Sequence, residues 1–558
     1  MNKISAVKRL RLLLKVDKKE ISQVYIYAFF NGLVSLSLPL GIQAIVNLIQ
    51  GGEVTTSWII LVAFVIGGVA LTGVFQLLQL RIVENLSQKI FSRASFEFAY
   101  RIPKIKYSAL YNYYAPELAN RFFDTMTIQK GLPKLLIDFT MALFQIVVGL
   151  MLLSMYHTFF IVFSVIMVAL IYVILYITGP RGLSSSISES SAKYKIAFWL
   201  EEIARTKLSF KLVGDSDFNL QKSNHYVDQY LTAREKHFSI LVTQFIYLIG
   251  FKVLIAAGLL IIGSILVFNQ EMNIGQFIAA EIIIIIIISS VEKLIKSLDS
   301  IYDVLTALEK IGYVTDLPLD IDGGLSFDEN NQEKISVEAT DLCYMYPDME
   351  TLTLDDVNFS LPAGRNAIIS GASSSGKSTL LQIIAGILEP KSGVVKFRGL
   401  PMKSINRTHL RSKIGFSISQ NGIFQGTILE NISMNRPEAT PQNISMALEM
   451  VGLDKFVAAQ TYGLNTALDP EGKKIPRNVQ NRLNLARAIV TKPKLLILED
   501  PLDHIDPVEK EKIIKRITEE NLPWSTIVAS YDPLWKKYIK DEIILQSGRV
   551  YSSTLKSQ

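Results

Sequence analysis

The stretch RNAIISGASSSGKSTLLQIIAGIL, Arg365 to Leu388, decides the architecture of the C-terminal half of this 558-residue chain. A short β-rich run comes first and an apolar run with helical character comes last. The segment between them, Gly371 to Thr379, fits the pattern G-x-x-x-x-G-K-[ST]. This strand–loop–helix order predicts a phosphate-binding loop, because its glycines let backbone N–H groups and a helix N-terminus face a phosphate.

The loop motif also predicts individual roles. Lys377 is expected to reach the β- and γ-phosphates of a nucleotide, and the Ser378 hydroxyl is expected to hold Mg²⁺. The whole loop is expected to contact the nucleotide: Gly371, Ala372, Ser373, Ser374, Ser375, Gly376, Lys377, Ser378 and Thr379. Strand-like and helix-like segments alternate around it, so residues 335–558 are predicted to form one α/β domain. A cluster of Pro, Gly, Asp and Asn at 315–334 predicts a linker before it.

The N-terminal half has a different composition. Hydrophobic residues make up 49% of the chain and charged residues 19%, and the apolar residues concentrate before about residue 300 in runs of at least ~20 residues. Residues 21–314 are therefore predicted to form a transmembrane domain after a basic N-terminus at 1–20. The expected spans are 22–49, 57–82, 134–156, 158–179, 240–268 and 275–297.

Charge distribution predicts the topology. The basic N-terminus contrasts with the connections at 51–57, at His157 and at 268–275, which hold no lysine or arginine. The positive-inside rule therefore places the N-terminus and the C-terminal domain in the cytoplasm of a multi-pass protein of the plasma (bacterial inner) membrane. The net charge of +6 follows mostly from this topology, so we expect no nucleic-acid partner.

A single cysteine, Cys343, excludes an internal disulfide and a thiolate metal cluster.

The connections between spans two and three and between spans four and five are long, and they keep apolar residues near helical spacing. We expect long cytoplasmic helical extensions, the first with Pro116 near its tip.

Charged residues within the spans are candidate functional residues. Lys252 and Glu292 are expected at similar depth, which leaves a structural pair and a substrate contact open, and Glu281 is expected nearer the outer surface.

A six-span region fused ahead of GASSSGKST, NRLNLARA and a strand ending in acids resembles an ABC exporter half-transporter. Stretches such as LDDVNFSLPAG and SQNGIFQGTILENI are most similar to exporters of peptides, proteins and lipids. The resemblance implies an all-α six-helix transmembrane domain followed by an α/β P-loop ABC ATPase domain. It also implies ATP and Mg²⁺ as cofactors, a lipid bilayer, an exported substrate, and a second half-transporter that is either the same or a different chain. A periplasmic adaptor is left open.

The same resemblance assigns further site residues. Tyr346 matches the aromatic residue that stacks on adenine, and Gln420 matches the glutamine that senses the γ-phosphate and the metal. Glu499 takes the Mg²⁺-side position and Asp500 the position of the catalytic base. A register shifted by one residue would bury Glu499 and bring Asp506 too close, so the unshifted register is favoured.

Several residues depart from the family pattern. The LSGGQ signature falls on five residues: Ile475, Pro476, Arg477, Asn478 and Val479. Asp500 is one methylene shorter than the usual glutamate, and Tyr531 replaces a histidine that contacts the γ-phosphate. Misplacing a base by about 1 Å can cost roughly 100-fold in rate. The hypothesis is tight ATP binding with slow hydrolysis, partly compensated if Arg477 supplies charge across a dimer interface. The alternative is an ATP-binding regulatory or scaffolding subunit.

Overall fold

The computed structural model describes residues 5–50, 56–111, 113–320, 323–327, 333–418 and 422–555. The chain forms two compact units. The first comprises Met1–Pro103 and Tyr113–Leu317, and the second comprises Lys104–Asn112 and Pro318–Gln558. The short segment 104–112 therefore belongs to the second unit although it lies within the N-terminal half of the sequence. The domain limits 21–314 and 335–558 stay predictions.

Helices make up the first unit. The helices up to residue 315 are α1 (Ala6–Val16), α2 (Lys18–Val34), α3 (Ser37–Gln50), α4 (Thr56–Arg101), α5 (Tyr107–Leu110, in the second unit), α6 (Ala115–Asn120), α7 (Asp124–Pro133), α8 (Thr140–Ser154), α9 (Thr158–Arg205), α10 (Lys207–Leu212), α11 (Phe218–Phe268) and α12 (Ile274–Thr315).

Within the described residues, six helical segments are long and apolar enough to cross a membrane, which confirms the six-span prediction. The longest extend far beyond a bilayer: α11 has 51 residues and spans roughly 75 Å at 1.5 Å per residue. The predicted extensions are thus continuous with the membrane helices. Inward-facing apolar side chains of α8, α9, α11 and α12 form one core cluster, which includes Phe160, Leu248 and Ile287.

Prolines explain two local departures from straight helices. The first predicted span is two helices, α2 and α3, that break at Ser35–Leu36. Pro39 has no N–H to donate to the Ser35 carbonyl, and this missing hydrogen bond favours the break at this point. Pro133 ends α7, and a π-helical turn at Lys134–Phe139 opens the third span. Both features lie where the apolar pattern alone predicts uninterrupted helix.

The charged residues within the membrane helices form a defined pair. Lys252 of α11 donates to Glu292 of α12, and Lys296 contacts the other oxygen of that carboxylate at 2.6 Å. Of the two alternatives for Lys252, the structure therefore adopts the pair with Glu292. Glu281 lies half-buried about three turns from Glu292, toward the Ile274 end of α12.

The second unit contains the strands. They are β1 (Val337–Tyr344), β2 (Leu354–Leu361), β3 (Ala367–Ser370), β4 (Ser392–Phe397), β5 (Leu400–Pro401), β6 (Ile414–Ser417), β7 (Gly426–Thr427), β8 (Ala467–Leu468), β9 (Leu495–Glu499), β10 (Ser525–Ala529), β11 (Asp541–Gln546) and β12 (Arg549–Ser553). The remaining helices are α13 (Lys377–Ile384), α14 (Arg407–Ser412), α15 (Ile428–Ser433), α16 (Pro441–Met450), α17 (Asp454–Ala458), α18 (Arg477–Ile489), α19 (Pro507–Ile517) and α20 (Leu534–Tyr538).

A six-stranded sheet in the order β12-β11-β3-β10-β9-β6 forms the centre of this unit. Strands β11, β3, β10, β9 and β6 run parallel to one another, whereas β12 pairs antiparallel with β11. Strand β9 is fully buried from Leu495 to Leu498, as its aliphatic sequence requires. The carboxyl ends of parallel strands meet at one edge of a sheet, and the residues that follow β3, β9 and β10 therefore converge there.

The segment around α5 packs within the second unit. Ile105 forms a β-bridge with Leu319, and Lys106 lies 3.3 Å from the Glu389 carboxylate. The part of the first extension that reaches this unit is therefore 104–112. Pro116 instead opens α6 in the first unit. The tip predicted near Pro116 lies slightly earlier in the chain.

Candidate nucleotide-binding site

The phosphate loop has the backbone that its glycines require. Gly371 follows β3 with φ +144°, and a Cβ there would lie 2.1 Å from the Leu545 carbonyl oxygen. Gly376 has φ +97° and precedes α13, whose free N–H groups face the loop. Inside the loop, the buried Ser375 hydroxyl has no hydrogen-bond partner within the described residues. This loop fits the phosphates of a nucleotide.

Lys377 is the first residue of α13, and its ammonium group lies over the loop. It donates to the carbonyls of Gly371 and Ala372, each at 2.8 Å. Its third contact is the Tyr531 hydroxyl at 2.8 Å, and its nitrogen lies 4.4 Å from the centre of the Tyr531 ring. All three ammonium donors are therefore engaged by the protein itself. Tyr531 is 61% exposed, so it approaches Lys377 from the solvent side.

Ser378 and Glu499 lie together beside the loop. The Ser378 hydroxyl donates to the Glu499 carboxylate. A hydroxyl and a carboxylate are the hard oxygen ligands that Mg²⁺ prefers, with nucleotide phosphates completing its coordination. In the described part of the chain no three His, Cys, Asp or Glu side chains group as a metal site. Mg²⁺ would therefore be held by Ser378, Glu499 and the nucleotide, and it would neutralise phosphate charge.

Asp500 follows Glu499 but turns in a different direction. Its backbone has φ +40°, and its N–H donates to the Ala529 carbonyl at 3.0 Å. Burial raises the pKa of this carboxyl above its usual value, and the neighbouring Ser530 side chain and Tyr531 backbone oppose that rise. Asp500 is thus tied to the end of β10.

Tyr346 lies next to the loop in an aromatic group. Its hydroxyl is 3.0 Å from the buried Thr379 hydroxyl, which connects the ring to α13. Tyr344 packs edge-on against it, with centroids 5.0 Å apart. Tyr111 stacks on it at 5.4 Å with an interplanar angle of 27°. Burial raises the pKa of Tyr344 to about 12, and both phenols stay protonated at neutral pH.

The remaining predicted site residues are Gln420 and those of the signature segment. Gln420, predicted to sense the γ-phosphate and the metal, lies outside the described residues. In the signature segment, Pro476 is the N-cap of α18 and provides no side-chain cap. Arg477 is the exposed first residue of that helix, whereas Val479 is buried. The N-terminus of α18 thus presents a guanidinium instead of the close backbone approach that two glycines allow.

Sequence reasoning missed two residues of this site. Tyr111 lies in the first extension, and its 235-residue separation from Tyr346 along the chain gives no pattern to detect. Ser530 precedes Tyr531 and neighbours Asp500, but one serine after a strand carries no specific signal. Their positions depend on tertiary packing.

Comparisons with known proteins agree with this geometry. A family model described as the ABC transporter transmembrane region matches residues 24–291, and one described as ABC transporter matches residues 354–503. A solved structure of a bacterial Atm1-family ABC exporter with ATP bound superposes with a TM-score of 0.79 at 16% identity, covering 96% of this chain and 95% of that one. That likeness establishes the fold.

Curated relatives match over shorter stretches. The uncharacterised ABC transporter ATP-binding protein YknV of Bacillus subtilis is 31% identical over 180 residues, which are 32% of this chain and 29% of the relative. The β-(1→2)glucan export ATP-binding/permease protein NdvA of Rhodopseudomonas palustris is 25% identical over 48% of this chain and 43% of its own length. The α-hemolysin translocation ATP-binding protein HlyB of Escherichia coli is 26% identical over 52% and 41%. The matched part thus spans less than half of each of these relatives.

Proposed function

We propose that this chain, which belongs to the ABC exporters as a half-transporter with one transmembrane region fused to one ATP-binding domain, moves a substrate out of the cytoplasm. It acts as a dimer that binds ATP tightly and hydrolyses it slowly. The proposed substrate class is a peptide, protein or lipid-like molecule. Names of relatives support export in general, since one is a β-(1→2)glucan export protein and another an α-hemolysin translocation protein.

A second half-transporter is supported by the second cytoplasmic extension. Its tip is α10 and the turn after it, where the apolar side chains of Leu208, Leu212 and Val213 face outward. Leu212 is 83% exposed. In contrast, the tip of the first extension packs within the chain's own second unit. Exposed apolar side chains at a helical tip are typical of a protein contact, and we propose that a second nucleotide-binding domain covers them.

Slow hydrolysis is the conclusion that the site geometry supports best. The single observation that carries it is the position of Asp500, whose backbone has φ +40° and whose N–H donates to the Ala529 carbonyl at 3.0 Å. A catalytic base must lie within about 3 Å of the water it activates. Asp500 has a shorter side chain than glutamate and is held at β10. The loop that binds phosphate is intact, whereas the base that would activate water lies in an altered geometry.

ATP turnover of the purified full-length chain in lipid nanodiscs tests this proposal. We expect saturable ATP binding together with a turnover far below the roughly 10 s⁻¹ that is typical of enzymes. Lys377→Ala should abolish binding, and Lys512→Ala, an exposed lysine on α19, is the control for loss of one positive charge. A rapid turnover that Lys377→Ala eliminates would refute slow hydrolysis.

The altered signature favours one second candidate. Pro476 has neither a hydroxyl nor an N–H, so the chain is also suited to be an ATP-binding regulatory or scaffolding subunit of an active partner. The identity of the copurifying half decides between the two. A second copy supports the exporter proposal, and Lys377→Ala should then stop transport. A different half with intact LSGGQ, Asp–Glu order and histidine, together with transport that survives Lys377→Ala, supports the regulatory role.

The proposed location is the bacterial inner membrane. The basic N-terminus and the outer connections, which hold no lysine or arginine, support a cytoplasmic position for both chain ends. We propose no specific adaptor, because no described surface of the outer connections is distinctive. Protease accessibility of the C-terminal domain in inverted and right-side-out vesicles tests the orientation, which would be wrong if only right-side-out vesicles were cleaved.

A further inference from the structure

A second cavity lies within the C-terminal unit, at the edge of the sheet opposite to the phosphate loop. Its volume is about 430 Å³. Lys413 directly precedes β6 and Lys494 directly precedes β9, so both lie at the amino ends of neighbouring parallel strands. The Lys494 N–H donates to the Lys413 carbonyl at 2.8 Å. The phosphate loop follows the carboxyl end of β3 in the same parallel sheet, and the two sites are therefore distinct.

Positive charge dominates the lining of this cavity. Among the described residues, four cationic side chains line it, namely Arg398, Lys413, Lys492 and Lys494, with the carboxylate of Glu438. The Glu333 carboxylate also acts on Arg398, so the excess of positive charge lies mainly at Lys413 and Lys492. Burial and the neighbouring Arg398 and Lys413 lower the pKa of Lys494. Gathering like charges in a partly enclosed space costs free energy. A bound anion would relieve this repulsion.

Arg398 is held in an unfavourable backbone conformation that directs it to this site. It has φ +50° in the turn between β4 and β5, and Lys492 also has φ +50°. Left-handed backbone is disfavoured for residues with a Cβ. The Arg398 guanidinium packs 5.4 Å from the Phe327 ring and donates to the Glu333 carbonyl. Its Nε is buried without a hydrogen-bond partner in the described part of the chain, and the Arg398 side chain forms part of the cavity wall.

The rest of the lining suits an organic ligand. Thr440 and Asn443 at the start of α16 add polar groups, while Phe327 and Ile335 add apolar surface. The volume lies within the range of about 300–1,000 Å³ typical of small-molecule sites. Arginine and lysine together recognise phosphate, because the guanidinium fork makes paired hydrogen bonds and each ammonium adds a point charge. We infer that this cavity binds a small phosphorylated molecule, independently of the phosphate loop.

Calorimetric titration of the full-length chain with pyrophosphate tests this inference. Wild type is expected to bind two pyrophosphate ions per chain, one in the loop and one in the cavity. Lys413→Gln with Lys492→Gln should weaken one of them at least about tenfold, since two charge-assisted contacts are lost. Lys377→Ala should weaken the other one instead. The control is the double variant Lys512→Gln with Lys515→Gln, which removes the same charge from α19, a helix that does not line the cavity. Its affinity for pyrophosphate should be unchanged at both sites.

Two results would overturn the inference. One is a single pyrophosphate per chain that Lys377→Ala removes. The other is an unchanged titration in the double cavity variant. If that variant also loses ATP binding and is therefore misfolded, Arg398→Lys replaces it, because lysine keeps the charge and removes the fork. Retention of both sites at wild-type affinity in Arg398→Lys would then refute the assignment, and selective weakening of one site would support it.

Discussion

Replacing Tyr531 with phenylalanine removes one hydroxyl and leaves the ring in place. In the nucleotide-free site this hydroxyl accepts a hydrogen bond from Lys377 at 2.8 Å, and the ring lies 4.4 Å from the same nitrogen. Lys377 must leave the hydroxyl if it is to reach the phosphates of ATP. The hydroxyl therefore stabilises the empty site, and its loss is expected to tighten ATP binding.

The structure sets the size of this effect. A single hydrogen bond contributes about 0.5–1.5 kcal/mol net, so Tyr531→Phe should lower the Kd for ATP by about 2- to 12-fold. An exposed cation–π contact adds about 0.5–1 kcal/mol, so Tyr531→Ala should lower it further, to a total of about 5- to 70-fold. The exposure of Tyr531 favours the lower end of both ranges.

Equilibrium binding of ATP to the full-length chain without Mg²⁺ measures these changes without hydrolysis. AMP is the control ligand, because it lacks the β- and γ-phosphates and its affinity should not change. Tyr551→Phe is the control variant, since Tyr551 is an exposed tyrosine of β12. The reasoning is refuted if Tyr531→Phe weakens ATP binding, because the phenol would then contact the nucleotide rather than compete with it.

Four further predictions concern other parts of the molecule. Asp500→Glu restores the missing methylene and should raise ATP turnover, by up to about 100-fold; an unchanged rate would show that side-chain length is not limiting. Asp500→Asn should raise the melting temperature at pH 7, because burial raises the pKa of Asp500 and its ionised form opposes folding. This gain should vanish below about pH 4, where the acid is protonated in both states. Gly371→Ala places a Cβ 2.1 Å from a backbone oxygen and should abolish ATP binding while the six-span region stays folded. Glu292→Gln leaves Lys252 and Lys296 without their shared partner and should cost about 1–3 kcal/mol in thermal unfolding, more than Lys252→Met, which leaves the Lys296 pair intact.

Local patterns were sufficient for much of this molecule. The six apolar runs, the strand–loop–helix order at Gly371 to Thr379 and the aliphatic strand ending at Glu499 are each contiguous in sequence. Bilayer thickness and backbone hydrogen bonding constrain such stretches almost without reference to the rest of the chain. The Lys252–Glu292 pair was also accessible, because helix rise converts residue number into depth.

Tertiary structure decided how the side chains at the site are used. The sequence identified Tyr531 and Asp500 as altered residues, but it did not reveal that one engages Lys377 or that the other turns toward Ser530. It likewise did not indicate that Tyr111 covers Tyr346 or that Arg398 and Lys413 line one cavity. A strand or a membrane helix is specified by residues close in sequence, whereas these contacts depend on which strand ends converge and on the direction that each side chain takes. That direction is set by packing between segments that are distant in sequence. A local sequence pattern therefore cannot predict it.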